Sequence, residues 1–205
     1  IESALEARNK IEKFMVKKPE FRTSLEPLPI EEEDHTGIIS LMLRASRISG
    51  TGPFAAVAGS ISQITAEEGR KNRAKNILVD NGGDISLLGK RDYRVGIYSG
   101  DTKLSGKILF SIDSGNLPLG ICTSSGSIGH SMSFGKADAV TIVGKEASIA
   151  DALATAVANE VKGEDVEASI KRGLDLADDF DEVRGCLIMR EDHIGTVGKL
   201  PEMVK

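Results

Sequence analysis

From Asn76 to Gly144 the chain loses its helical period and breaks into seven short β-rich runs. They are ILVD, ISLLG, YRVGIYSG, KILFSID, LPLGICTS, IGHSMSF and AVTIVG, separated by Gly, Asn, Asp and Ser. Short apolar runs with turn residues between them predict antiparallel strands joined as consecutive hairpins. Helical patterns flank them. Ile1, Leu5, Ile11 and Met15 recur near helical spacing until Pro19, and Ile38, Met42, Ala45 and Ile48 line one face of a helix over 37–49. Gly50-Thr51-Gly52-Pro53 ends that helix, and Pro53 suits the first turn of another, over about 53–68. Beyond the strands, Ala150–Val161 and Asp165–Ala177 read as helices, and RGCLIMR with His193-Ile-Gly-Thr-Val as closing strands. The order predicts an α+β fold, one antiparallel sheet of consecutive hairpins packed with helices, with residues 1–205 as a single domain.

Composition narrows the function classes. A chain of 205 residues buries about 70% of its extended surface. With a hydrophobic share of 40% and a charged share of 28%, disorder is excluded. Lys and Arg number 26 against 31 Asp and Glu, a net charge of −5 with no basic block, which argues against nucleic acid as a partner. No apolar run approaches the ~20 residues that span a bilayer, so a membrane is not expected either. The opening IESALEARNKIEKF is amphipathic and mixed in charge, unlike a signal peptide, and its lack of Met implies that native residues precede Ile1. Cys122 and Cys186 form no C-x-x-C, which suits a reducing cytoplasm. The short, edge-rich sheet suits a homodimer.

Several glycine patterns fail on inspection. Gly50-Thr51-Gly52-Pro53-Phe54-Ala55 matches G-x-G-x-x-A, but a helix precedes it and Pro53 removes an amide that would face pyrophosphate. Gly100 to Gly106-Lys107 and Gly129 to Gly135-Lys136 each have one residue too many for a phosphate-binding P-loop. Asn81-Gly82-Gly83-Asp84 is first a hairpin turn, although successive Gly amides can also face an anion.

Two stretches are richer in chemistry. Cys122-Thr123-Ser124-Ser125-Gly126-Ser127-Ile128-Gly129-His130-Ser131 gathers hydroxyls, a thiol and an imidazole around two glycines. Three readings are open, in this order: a loop holding phosphate or ribose with His130 as proton donor, an inert loop, and a thiol nucleophile at Cys122 with His130 as base. Cys122 itself follows an apolar strand and reads as a buried, inert thiol. Ser148-Ile149-Ala150-Asp151 has the form of a capping box, Asp151 returning to the Ser148 amide. Asp151 and Thr155, four apart, also present two oxygen ligands on one helical face, where Mg²⁺ would sit over substrate phosphates.

Together, NILVDNGGDISLLG followed by RVGIYSG, then CTSSGSIGH, then AVTIVGKEASIADALATAVAN resemble the ApbE family of flavin transferases, which move FMN from FAD onto a protein threonine. FRTSLEPLP, GPFAAVAG, CTSSGSIGHSMSFGKADAV and ADALATAVAN are most similar to a shorter, ApbE-related family of uncharacterised proteins. The resemblance implies an ApbE-like fold, Mg²⁺ on Asp151 and Thr155, and a bound FAD or related dinucleotide. It puts Asn81, Gly82, Gly83, Asp84, Thr123, Ser124, Ser125 and Gly126 against the cofactor and His130 in the catalytic position. One departure is plain. Full-length ApbE proteins follow their histidine with a hydrophobic pair and Asp-Pro, where this chain has Ser131-Met132-Ser133-Phe134. The resemblance implies FMN transfer or FAD hydrolysis, while the departure speaks against transfer and favours the alternative, a binding module of the same fold without catalysis.

Overall fold

The structure is a computed structural model and describes residues 1–100, 105–125 and 135–204. It opens with helices α1 (Glu2–Lys17), α2 (Glu20–Thr23), α3 (Ile38–Ser49) and α4 (Val57–Lys71). Strands β1 (Ile77–Asn81), β2 (Asp84–Leu88), β3 (Tyr93–Ile97), β4 (Ile108–Ile112), β5 (Leu119–Ser124) and β6 (Ala139–Gly144) follow. Helices α5 (Ala147–Glu160) and α6 (Val166–Asp178) lead to β7 (Val183–Arg190), β8 (His193–Gly198) and β9 (Glu202–Val204). The run IGHSMSF, 128–134, lies outside the described residues. None of the described helices is long and apolar enough to cross a membrane.

The expected antiparallel strands and flanking helices are present, but the strands divide between two sheets. One has six strands in the order β1-β2-β5-β6-β7-β8, and the other has three, β3-β4-β9. The division follows from which faces are apolar. β2 and β6 are buried at every position, whereas β3 and β4 alternate, with Val95, Ile97, Ile108, Phe110 and Ile112 turned inward. A strand buried on both faces belongs in the middle of a stack and a one-sided strand at its surface. Three layers result. Cys122, Val140, Ile142, Cys186 and Ile188 pack against the helices, while Ile85, Leu87, Leu119, Ile121, Val143, Leu187 and Met189 pack against the small sheet.

Local chemistry explains the turns. Gly50 closes α3 in the left-handed conformation at φ 70, and Pro53 opens a 3-10 turn, Pro53–Ala56, after which α4 begins at Val57. β1 and β2 pair with Asn81 opposite Asp84, and Gly82 (φ 71) with Gly83 (φ 105) forms the two-residue turn that only residues tolerant of positive φ allow. Helix α5 starts at Ala147, three residues earlier than the sequence suggested, because its first turn is wedged between two glycines. A Cβ on Gly59 of α4 would lie 2.3 Å from Ala147 O and 2.6 Å from Asp151 Cβ, and one on Gly120 of β5 would lie 2.6 Å from Ala147 Cα.

Gly59→Ala should therefore destabilise the fold by about 3 kcal/mol, since backbone of two elements must separate to admit one methyl group. Gly96→Ala on β3, where nothing lies within 4 Å of the added carbon, should be close to neutral. Urea denaturation of both variants checks this, and equal midpoints would contradict the wedge.

Candidate functional site

Helices α4 and α5 cap one another. The Gly59 amide in the first turn of α4 donates to Asp151 Oδ2 of α5 at 2.7 Å. In return, Gln63 Oε1 of α4 accepts from the Ser148 amide of α5 at 3.1 Å and from its hydroxyl at 3.0 Å. The capping box expected within α5 is thus not formed: Ser148 is bonded to Gln63 and Asp151 to Gly59. With α5 beginning at Ala147, Ser148 falls inside the first turn and Asp151 faces α4 instead. Each helix end presents amides without intrahelical partners, and here the neighbouring helix satisfies them. A bidentate pair from Arg44 Nη1 and Nη2 of α3 to Glu146, at 2.9 and 3.0 Å, fixes the residue just before α5.

Asp151 is one of two buried carboxyl groups at this junction. Since Ile85 and Ile121 point toward the small sheet, strand alternation turns Asp84, Cys122 and Ser124 toward the helices. Asp84 is only 9% exposed, and its pKa is pushed up to about 7 by burial, against the opposing pull of the Cys122 thiol and the Thr123 amide. Burial and then the neighbouring Asp84 push Asp151 well above the usual carboxylate range, while the Gly59 and Ala58 amides oppose the rise. Cys122 Sγ sits between Asp84 and Ala147 O, the latter at 3.2 Å, and burial together with both carboxyl groups pushes the thiol far up. The buried thiol expected from the sequence is what the structure holds, and burial beside two carboxyl groups disfavours its thiolate.

Three buried oxygens around this junction lack hydrogen-bond partners among the described residues: Asp84 Oδ1, Ser124 Oγ and Ser60 Oγ of α4. Thr155, one turn beyond Asp151 on α5, is 8% exposed. Carboxylates and hydroxyls are the hard donors Mg²⁺ prefers, and two carboxyl groups leave coordination positions for phosphate oxygens. Among the described residues no cluster of three or more His, Cys, Asp or Glu side chains forms a metal cage. The described donor set fits a cation that also takes oxygens from an anionic ligand.

Residues 2–185 match the family model described as "AbpE bacteria". The chain belongs to this family. It is 44% identical over 198 residues to a UPF0280 protein of Methanothermobacter thermautotrophicus, covering 96% of this chain and 76% of the relative. Against a UPF0280 protein of Methanocaldococcus jannaschii it is 40% identical over 206 residues, covering 100% and 83%. Among solved structures it is similar to the flavinyl transferase ApbE of Pseudomonas stutzeri, with TM-score 0.49 and 16% identity over 72% of this chain and 47% of that one. The flavin transferase ApbE of Vibrio cholerae gives TM-score 0.47 and 15% identity over 72% and 50%. This chain thus spans about half the length of those transferases.

The residues that sequence singled out in this family member are distributed unevenly. Asp84, Ser124, Asp151 and Thr155 are all buried where β2 and β5 meet α4 and α5. Asn81 lies at the edge of this group, its Nδ2 donating to Ala58 O at 3.2 Å. Gly82 and Gly83 form the turn beyond it, and Thr123 Oγ1 turns to the other face of the sheet, 2.9 Å from Thr141 Oγ1. Ser125 ends the described part of its loop, and Gly126 and His130 lie outside the described residues. Sequence reading missed the role of Gly59 and Gln63. The signal available for Gly59 was its place among the small residues Ala55, Ala56, Ala58 and Ser60, which marked close approach without naming the partner.

A carboxyl group that binds its proton more tightly folded than unfolded contributes stability that is complete below the unfolded pKa and lost as pH rises through the folded one. In metal-free buffer the Asp84 carboxyl should therefore lower the unfolding free energy between about pH 4 and about pH 7 by on the order of 4 kcal/mol, at about 1.4 kcal/mol per pH unit, and Asp151 adds a slope of the same sign. Asp84→Asn, neutral throughout, should lessen that slope and leave the part that comes from Asp151. An unchanged slope in the variant would mean that the Asp84 carboxyl is already ionised in the native protein.

Proposed function

We propose that this protein binds FAD or a related flavin dinucleotide together with Mg²⁺ and cleaves the pyrophosphate, transferring FMN or hydrolysing FAD. The observation that carries the reading is the buried Asp84–Asp151 pair with orphaned oxygens around it. Two carboxyl groups in one desolvated junction resist ionisation unless a cation joins them. Mg²⁺ when bound supplies charge neutralisation at the pyrophosphate. Asp151 and Thr155 are the side chains assigned to hold it, with Asp84 beside them. The Gly59 and Ala58 amides keep the Asp151 carboxyl oriented, so that its remaining lone pairs stay free for the metal. Asn81, Gly82, Gly83 and the Thr123–Gly126 loop are assigned to the dinucleotide.

His130 is assigned the proton-moving role. In transfer, an acceptor hydroxyl loses its proton to His130 as its oxygen forms the new bond to the FMN phosphorus, and the bond to the AMP phosphate breaks. In hydrolysis, water takes the acceptor's place and FMN and AMP leave separately. Two buried free cysteines suit action in the cytoplasm. A second reading rests on Ser131-Met132-Ser133-Phe134 where full-length ApbE proteins carry Asp-Pro: a module that binds the dinucleotide without cleaving it.

Titration of FAD followed by flavin fluorescence, in Mg²⁺ and in EDTA, tests the proposal. Binding should weaken at least about tenfold in EDTA and in Asp151→Asn or Thr155→Val, of which Asp151→Asn keeps an acceptor for the Gly59 amide. Binding indifferent to Mg²⁺ and to both substitutions would overturn it. AMP release from the bound complex separates catalysis from the binding module.

A further inference from the structure

The far end of α4 carries a second concave site of opposite charge. A cavity of about 530 Å³ lies between the C-terminal turn of α4 and the open end of the β1–β2 hairpin. Arg70, Lys75 and Lys90 line it over a floor that includes Leu88, Leu117 and Pro118, and no carboxylate contributes. That is unexpected in a chain whose acidic residues outnumber its basic ones by 31 to 26. Among the described residues none of the three cations takes part in an ion pair or donates a side-chain hydrogen bond, whereas the adjacent Lys71 pairs with Glu68 at 3.2 Å.

Helix capping does not account for these cations. The carbonyls of Glu68, Gly69 and Arg70 already accept main-chain amides, from Asn72 at 3.0 Å, Ala74 at 3.0 Å and Arg73 at 2.9 Å. Lys75 and Lys90 also come from separate segments, so one helix dipole cannot have selected both. The wall that carries them is held in place. Asn76 Oδ1 accepts the Lys90 amide at 3.0 Å, and Tyr93 Oη reaches the carbonyls of Ile77 and Leu88, each at 3.2 Å. Gly89, at φ 133, permits this closeness, since a Cβ there would lie 2.7 Å from Asn76 Oδ1.

We propose that this cavity binds a phosphorylated small molecule with an apolar body. The cations take the phosphate, with Arg70 offering a planar fork of donors, and the apolar floor takes the body. Its volume lies within the roughly 300–1,000 Å³ of small-molecule sites. It stands eleven residues along α4 from Gly59, about 16 Å at 1.5 Å per residue, and so is separate from the carboxylate junction and independent of what binds there.

Phenyl phosphate, inorganic phosphate and phenol, each titrated in EDTA and followed by amide NMR, test this. Phenyl phosphate should shift the Asn76, Gly89 and Lys90 amides saturably and bind more tightly than either fragment. The double variant Lys75→Gln/Lys90→Gln should lose about tenfold or more, as expected for removed charge-assisted contacts, while Asp84→Asn should bind as wild type does. Absence of saturable shifts at these amides, or equal affinity in the double variant, would overturn the proposal. So would saturation by a short RNA or by anionic vesicles when phenyl phosphate produces none, since the surface would then serve a polyanion.

Discussion

The reciprocal capping of α4 and α5 is the contact from which the rest of the architecture follows. Asp151 holds the start of α4 and Gln63 holds the start of α5, so neither helix can shift along the other without exposing buried amides. Gly59 and Gly120 let Ala147 approach both α4 and the central sheet, which brings Asp151 level with Asp84 and Cys122. The same carboxyl group is therefore a structural cap and a member of the acidic pair. This double duty has a chemical consequence. Under the proposed Mg²⁺ reading, a carboxyl group already fixed by two backbone amides would reorganise little when a cation arrives.

The three-layer stack explains why the acidic pair is so poorly solvated. The six-stranded sheet is covered by helices on one face and by β3-β4-β9 on the other. Cross-strand neighbours in its middle therefore face protein whichever way they point. Asp84, at the first position of β2, is carried into that desolvated layer by the alternation that sends Ile85 the opposite way. Its charge would cost several kcal/mol there without compensation, and the nearby Cys122 thiol and Thr123 amide compensate only in part.

What was legible in the sequence was local. Periodicity marked α1, α3 and α6, and Asn81-Gly82-Gly83-Asp84 marked its hairpin, because those signals arise within a few residues. The division into two sheets was present only faintly, as one-sided alternation in YRVGI against continuous apolar character in AVTIVG. The caps of α4 and α5 could not be read at all. Ser148 and Asp151 carry a capping-box pattern, yet their partners come from Gln63 and Gly59, 85 and 92 residues away. A local motif states which groups are available, and tertiary packing decides which of them meet. The pairing of Asp84 with Asp151 was hidden for the same reason: the turn pattern marked one and helical spacing the other, and nothing local joined them.

Under the two proposals, helix α4 runs between two sites that would treat anions in opposite ways. At its start, burial holds two carboxyl groups toward their protonated form, and a cation would favour their ionised form, so the proposed phosphate would arrive with its metal or find one bound. At its end, Arg70, Lys75 and Lys90 attract a phosphate directly, and added salt weakens that attraction because the three are exposed. A chelator should silence the first site and leave the second intact, whereas raised ionic strength should weaken the second more than the buried first. Placing carboxyl groups beside one end of α4 and cations beside the other would give two proposed anion sites that answer to different solutes.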